Sequence, residues 1–279
     1  MKKGDPMPVM TNILQTIAAR TCERVAECKE VRPLAVVADA ARRCAADELS
    51  TSGSFAFPFE EALRDPGMSF ICEAKKASPS KGIIAQDFSY LEIARQYEAA
   101  GAAAISCLTE PYWFLGSDEY LREIAQEVSI PVLRKDFVVD EYMIYEAKAL
   151  GAAAVLLIVA ILDDEQLRSY VDLAHELGMS ALVEAYSEDE IPRALAVGAR
   201  VVGVNNRDLR SFSVDFGNSI RLRELVGPDR IYVSESGVSC REDVARLEAA
   251  GVDAVLIGET LMRAEDKAAM LAELRGDAR

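Results

Sequence analysis

Glu73 and Lys75 stand two residues apart at the end of an apolar run. On a strand that spacing turns both side chains to one face, so a carboxylate and an ammonium are presented side by side. The same types return at the ends of two other apolar runs, as Lys135 in Arg134-Lys135-Asp136 and Glu184 in Leu182-Val183-Glu184. One ion pair alone would close a structure; a second acid–base pair has no packing reason. An opposite charge keeps a buried lysine protonated and able to donate, while partial desolvation lifts a glutamate towards neutral pH, where it accepts protons. Two lysines and two glutamates therefore suit proton transfer on an anionic substrate, with no metal required. His175, the chain's only histidine, sits between apolar residues of a helical stretch and reads as an interhelical or surface residue; no His, Asp and Glu cluster has metal-ligand spacing.

These residues need a scaffold that brings separate apolar runs to one place. From residue 69 onward the chain repeats a short apolar run, a loop, an amphipathic stretch and a Gly-Ala or Gly-Val turn. The runs cover residues 69–74, 103–108, 131–137, 153–161, 180–185, 201–205, 231–235 and 254–258. Near-continuous apolar runs mark strands buried on both faces, and the helical patterns between them mark parallel crossovers. The turns place Gly101, Gly151, Gly198 and Gly251 where a helix ends on a left-handed residue. Eight such units predict an α/β fold, a closed (β/α)8 TIM barrel; a doubly wound sheet would carry fewer strands and a G-x-G-x-x-G loop, which is absent.

In such a barrel the site lies at the C-terminal ends of the strands. The run ends then supply Glu73, Lys75 and the loop Ser78-Pro79-Ser80-Lys81-Gly82, then Lys135, Glu184, Asn205-Asn206-Arg207-Asp208, Ser234-Glu235-Ser236-Gly237 and Gly258-Glu259. Ser236-Gly237 and Gly258 follow the seventh and eighth runs, where backbone N–H groups and helix N-termini commonly hold phosphate.

Before the barrel, residues 10–49 carry helical spacing and read as two helices broken near Pro33, followed by Phe55, Phe57 and Phe59 as an aromatic anchor. We read residues 1–279 as a single barrel domain, of which residues 1–68 form an N-terminal helical extension. An apolar fraction of 51% with 28% charged residues describes a globular chain with a sizeable core. The formal net charge of -15 argues against a nucleic-acid partner and demands a locally positive pocket for any anion. Six scattered cysteines without a C-x-x-C pair read as reduced packing thiols. Residues 1–8 lack the apolar stretch of a signal peptide, and no run approaches the roughly 20 residues of a membrane span. The expectation is a cytoplasmic protein without a membrane partner.

Ile71-Cys72-Glu73-Ala74-Lys75-Lys76-Ala77-Ser78-Pro79-Ser80-Lys81-Gly82 resembles the long signature of the indole-3-glycerol phosphate synthase family. Val132-Leu133-Arg134-Lys135-Asp136-Phe137, Leu182-Val183-Glu184, Gly203-Val204-Asn205-Asn206-Arg207-Asp208-Leu209 and Ser234-Glu235-Ser236-Gly237 are similar in order and spacing, and the likeness extends to the N-terminal extension. The resemblance implies cofactor-free conversion of 1-(2-carboxyphenylamino)-1-deoxyribulose 5-phosphate into indole-3-glycerol phosphate, with loss of carbon dioxide and water, in tryptophan biosynthesis. It implies Lys135 as the acid of ring closure and Glu184 as the base of dehydration. Lys75 would pair with the substrate carboxylate or phosphate, and Glu73 would meet the departing hydroxyl or position a lysine. Asn205 would hydrogen-bond the reacting region, Arg207 would contact an anionic group, and Glu235 would line the pocket. Ser78, Ser236, Gly237, Gly258 and Glu259 would lie at the phosphate end. Glu259 departs from the small hydroxyl residue often found there, so its carboxylate would have to turn away and leave its backbone N–H to bind. Phe137, Leu133 and Leu156 are lining candidates for an aromatic ring. The aromatics of Pro111-Tyr112-Trp113-Phe114 would cover the mouth or pack on the extension. By the same likeness the free-standing enzyme is a monomer.

Three alternatives share the scaffold. A phosphoribosylanthranilate isomerase-like barrel would carry a cysteine and aspartate pair in place of Glu73-x-Lys75. A Schiff-base aldolase would use Lys75 or Lys135 as nucleophile. A catalytically silent phosphate-binding barrel would have no reason to keep Glu184 and both lysines.

Overall fold

Along five of the eight predicted strands the inward-facing residues change from apolar in the middle to polar at the C-terminal end, and the fold turns that pattern into a floor and a mouth. The computed structural model describes residues 13–210 and 213–277. Residues 1–12, which hold the segment read as no signal peptide and the first residues of the helical stretch, lie outside them. Eight parallel strands close into a barrel: β1 (Ser69–Ala74), β2 (Ala104–Leu108), β3 (Val132–Lys135), β4 (Ala154–Ile158), β5 (Ser180–Ala185), β6 (Val201–Asn205), β7 (Ile231–Glu235) and β8 (Ala254–Ile257), with β8 paired back to β1. Just after β1, Ala77–Ser78 and Gly82–Ile83 form a short antiparallel ladder.

Two strands fall short of their apolar runs by more than one residue. β3 stops at Lys135 because the carboxylate of Asp136 accepts the Phe137 amide at 2.8 Å and takes it out of the ladder. β4 stops at Ile158, where the chain winds into a 3-10 turn, Val159–Ile161. Arg193 donates to the carbonyls of Val159 (3.1 Å) and Leu162 (2.7 Å) there, supplying partners that a continued strand would otherwise provide.

Helices α4 (Tyr90–Ala99), α5 (Asp118–Glu127), α6 (Glu141–Ala149), α7 (Asp164–Glu176), α8 (Glu190–Ala196), α9 (Gly217–Leu222), α10 (Arg241–Ala249), α11 (Glu259–Arg263) and α12 (Lys267–Arg275) follow the strands. The four repeat glycines all have positive φ, between 76° and 91°, as the turn chemistry predicted. Before the barrel come α1 (Ile13–Val31) and α2 (Leu34–Ser52), broken at Pro33, and then α3 (Pro58–Leu63). α2 is tied to α6 by Lys148 donating to Glu48 (2.6 Å) and Arg42 donating to Tyr145 (3.1 Å).

Phe55, Phe57 and Phe59 do not act as one alternating anchor, because Pro58 starts α3 in the middle of them. Phe59 and Leu63 join Ile71, Leu133, Leu182, Val201, Val233 and Leu256 in the apolar cluster that fills the barrel. Glu60, buried beside them, accepts from Ser180 Oγ at 3.1 Å and pairs with Arg200 at 2.9 Å. Phe57 stacks under Arg200 instead, and Phe55 fills the space a Cβ at Gly178 would occupy. α3 thus plugs one end of the barrel, leaving the strand C-termini to form the site.

Candidate active site

Above that apolar floor the inward positions turn polar on β1, β3, β5, β6 and β7, whereas Leu108 of β2 and Ile158 of β4 keep their part of the wall apolar. Ile71 is followed by Glu73, Leu133 by Lys135, Leu182 by Glu184, Val201 and Gly203 by Asn205, Val233 by Glu235, and Leu256 by Gly258. Strand pairing sets them in a ring, with Glu184 opposite Gly203 and Asn205 opposite Glu235. Together they line a cavity of 810 Å³, within the roughly 300–1,000 Å³ of small-molecule sites.

The residues that the resemblance assigns to catalysis, the pocket or the phosphate end, Glu73, Lys75, Lys135, Glu184, Asn205 and Glu235, with Ser78, Arg207, Ser236, Gly237, Gly258 and Glu259, all line this cavity, as does Phe137. Leu156 lines it too, but Leu133 does not. Two residues before Lys135 on the same inward face, Leu133 sits one pleat repeat deeper and is fully buried in the floor. Arg134 faces the other way, as alternation requires, and is committed outside the barrel to Asp118 (2.7 Å), Glu146 (2.8 Å) and the Met143 carbonyl (2.8 Å).

Lys135 is the centre of the charge arrangement. Its Nζ lies 3.1 Å from Glu184 Oε2 and 3.1 Å from Glu235 Oε2. Burial alone would push its pKa down, but Glu184, Glu235 and Glu73 outweigh that and hold it above the ordinary lysine value. Glu235 is the counterpart: burial pushes its pKa up to about 8, and Glu184 adds to the shift against the opposing pull of Lys135. Its Oε1 has no hydrogen-bond partner among the described residues and lies against Gly203, where a Cβ would come within 2.4 Å. Burial thus favours the protonated form of Glu235, while the neighbouring carboxylates keep Lys135 charged.

A raised carboxyl pKa contributes stability at low pH that is lost as pH rises, here across the window from about 4.5 to about 8. Glu235→Gln, neutral at every pH, escapes that loss. The urea midpoint of the variant should therefore gain on the wild type between pH 5 and pH 9. Parallel midpoints over that range would mean that Glu235 ionises as it does in water.

Across the mouth, Lys75 Nζ is hydrogen-bonded to Glu73 Oε1, and both press against Gly258. A Cβ there would stand 2.3 Å from Glu73 Oε1 and 2.9 Å from Lys75 Nζ. Gly258 was singled out for backbone approach to phosphate; the geometry adds a second requirement, room for the ion pair.

At the β7–β8 side, Ser236 and Gly237 are consecutive left-handed residues, with φ of 67° and 93°. Asn206 supports the turn by donating to the Ser236 carbonyl (2.9 Å) and Ser234 Oγ (3.2 Å). The carboxylate of Glu259 is taken up by Lys81 (3.3 Å) and Arg263 (3.1 Å). The expected locally positive pocket is not seen as a net excess. Lys75, Lys81, Lys135, Arg207 and Arg263 line the cavity, but so do Glu73, Asp136, Glu184, Glu235 and Glu259. Burial works against a charge on Glu235, and Lys81 and Arg263 line the same cavity as the Ser236-Gly237 turn.

The loop after β2 both covers and anchors. Phe114 lines the cavity and packs on Phe137 with ring centres 5.9 Å apart, while Tyr112 accepts from Arg20 of α1 at 2.7 Å. Glu110, which the sequence reading passed over, is buried under this loop and accepts the amides of Tyr112, Trp113 and Phe114 at 2.9, 2.8 and 2.9 Å. Gly203 was also missed, although a glycine inside an apolar strand signals a close approach. A smaller recess of 320 Å³ adjoins Glu184, Asn205 and Arg207 and is closed by Leu14 and Gln15, so α1 flanks the mouth.

Fold and site together define a (β/α)8-barrel enzyme whose acids and bases converge at the strand C-termini. The sequence profile of indole-3-glycerol phosphate synthase matches residues 14–274. The indole-3-glycerol phosphate synthase of Ruminiclostridium cellulolyticum is 53% identical over 266 residues, covering 95% of this chain and 100% of that one. That of Endomicrobium trichonymphae is 57% identical over 217 residues, covering 78% of this chain and 84% of its own. Among solved structures, 3-hexulose-6-phosphate synthase from Salmonella typhimurium matches with a TM-score of 0.62 at 14% identity, over 75% of this chain and 97% of that one, a likeness of fold alone. The chain belongs to the indole-3-glycerol phosphate synthase family, carboxy-lyases of tryptophan biosynthesis. That membership decides against the isomerase and aldolase alternatives.

Proposed function

We propose that this cavity converts 1-(2-carboxyphenylamino)-1-deoxyribulose 5-phosphate into indole-3-glycerol phosphate with Lys135 as the acid of ring closure. The observation that carries the assignment is a charged, buried lysine 3.1 Å from each of two carboxylates at the barrel mouth. As the ring carbon bearing the carboxylate attacks the ketone carbon, Lys135 gives its proton to the ketone oxygen. The bond to the carboxylate carbon then breaks, carbon dioxide leaves, and the electron pair of that bond stays with the ring and restores its aromaticity. Glu184 removes one proton from the new ring while Lys75 donates another to the hydroxyl, which leaves as water, and the indole double bond forms.

Lys75 pairs with the substrate carboxylate, and Glu73, hydrogen-bonded to Lys75, orients it and meets the departing hydroxyl. Asn205 faces the reacting region, with its own Oδ1 fixed by the Arg207 amide at 2.9 Å. Arg207 contacts an anionic group of the substrate. Phosphate binds at Ser78, Ser236, Gly237, Gly258 and the backbone of Glu259, beside Lys81 and Arg263. The aromatic ring lies against Phe137, Phe114 and Leu156. A lysine kept charged by its neighbours is a poor nucleophile, which further disfavours a Schiff base at Lys135.

The extension and barrel act as one domain, and the family likeness makes the chain a monomer. We place it in the cytoplasm, in keeping with six free cysteines. Among the described residues no helix is long and apolar enough to cross a membrane. Indoleglycerol fluorescence should grow when the purified protein meets the synthesised substrate, and Glu184→Gln should slow it at least about 100-fold. No turnover by the wild type sinks the activity, whereas an unimpaired Glu184→Gln sinks only the base assignment.

A further inference from the structure

The N-terminal helix reaches the strand ends through a row of cations. Arg20 and Arg24 are four residues apart on α1 and share a face. Arg20 donates to Tyr112 at 2.7 Å, and Arg24 donates to both carboxylate oxygens of Asp136, at 3.0 and 2.9 Å. Asp136 directly follows Lys135. Its carboxylate also accepts from Thr109 Oγ1 at 2.6 Å and from the Phe137 amide at 2.8 Å, so it fixes the chain on the C-terminal side of the lysine. Arg134 fixes the other side, donating to Thr109 Oγ1 at 3.2 Å as well as to Asp118 and Glu146.

We propose that Arg24 of the N-terminal extension is a positioning residue for Lys135, acting through the buried carboxylate of Asp136. The proposal rests on the reading of Lys135 as the acid of ring closure. The Asp136 side chain has 0% exposure, and the other cation near it, Arg134, stands 3.9 Å away with its guanidinium already shared by two carboxylates. Without Arg24, three carboxylates face one guanidinium. A buried carboxylate in that position must turn towards water or take up a proton. Turning pulls on the Phe137 amide and on the peptide that joins Asp136 to Lys135. Lys135 Nζ meets Glu184 and Glu235 at 3.1 Å each, so a displacement of the strand end breaks that geometry. A misplacement of about 1 Å can cost about 100-fold in rate. The extension would then be a component of the active site and more than a packing attachment.

The test uses the full chain with Arg24→Met, Arg24→Lys, Asp136→Asn and the double variant Arg24→Met/Asp136→Asn, each checked for folding by circular dichroism. Arg24→Met should lower kcat 10- to 100-fold with KM changed less than threefold, and Arg24→Lys should recover most of the loss. The double variant should be no slower than Asp136→Asn alone, since the asparagine no longer needs a cation. A second readout does not need turnover. Trace acetylation at pH 8, followed by mass spectrometry, should label Lys135 at least fivefold faster in Arg24→Met than in wild type, with Lys75 changed less than twofold. Wild-type rate and wild-type Lys135 labelling in folded Arg24→Met overturn the proposal, as does a kcat loss that simply multiplies with that of Asp136→Asn. If Arg24→Met does not fold, the comparison of Arg24→Lys with Asp136→Asn decides by the same labelling ratio. Absence of wild-type turnover with the labelling change intact overturns the reaction and leaves the positioning role standing.

Discussion

Lys135→Ala should lower kcat by about 1,000-fold, within the range of about 10²–10⁴ supplied by a positioned proton donor. Stopped assays of indoleglycerol formation at saturating substrate measure it. The structure adds a second signature that separates loss of an acid from a general disturbance. Lys135 is the cation shared by Glu184 and Glu235, and its pKa is held above the ordinary value by them. A raised lysine pKa contributes stability that is fully present below the unfolded value, so the wild type carries it throughout the neutral range. The variant loses that contribution and leaves the Glu235 carboxyl facing Glu184 without the cation that opposes its upward shift, so its pKa rises further. It then accepts a proton easily in acid and resists ionisation at higher pH. The stability gap between wild type and Lys135→Ala should therefore widen from pH 5 to pH 9, measured by urea unfolding. This trend is opposite in sign to that of Glu235→Gln, which gains on the wild type over the same range. A gap independent of pH, or a kcat within tenfold of wild type, would remove Lys135 from the centre of the site.

The fold was legible because its signal is repeated. Strands β1, β5, β6 and β7 have the limits that their apolar runs gave, and the glycine turns between them are left-handed as their positions required. β3 and β4 were read too long for a reason that hydropathy cannot carry. Asp136 and Arg193 end those strands with side-chain hydrogen bonds to the backbone, one from a neighbouring residue and one from a later helix. The ring of polar strand ends was legible for a related reason: alternation along a strand fixes which residues face inward once the barrel is known. Glu73, Lys75, Lys135, Glu184, Asn205 and Glu235 all satisfy it, and Leu133 fails only in depth. Pairings that depend on distant segments were not legible. Nothing in the sequence around Arg24 connects it to Asp136, more than a hundred residues away, and Glu110 is one acid among many until its three amide donors are seen. Nor does a net charge of -15 reveal that the cavity lining carries as many basic as acidic side chains, with burial raising the pKa of Glu235 among them.

Gly258→Ala should separate activity from stability more sharply than any other single methyl group in the site. Its φ of -114° is open to alanine, so the substitution brings no backbone strain. The added Cβ would instead stand 2.3 Å from Glu73 Oε1 and 2.9 Å from Lys75 Nζ. Both are the far ends of side chains that can swing into an open cavity, so the cost to folding should stay within about 1 kcal/mol, as for substitutions that avoid core packing. The cost to the reaction is larger. The ion pair proposed to receive the substrate carboxylate must separate or move away from β8, and the backbone proposed to approach phosphate on the same strand now carries a methyl group. Loss of two binding contacts and one oriented pair should lower kcat/KM by about 100-fold, with a rise in KM forming much of it. The measurement is a full rate-versus-substrate curve beside a urea titration of the same preparation. A large stability loss with normal kcat/KM would mean that Gly258 serves packing alone. Normal values of both would mean that Glu73 and Lys75 find an equivalent arrangement without the space that β8 leaves for them.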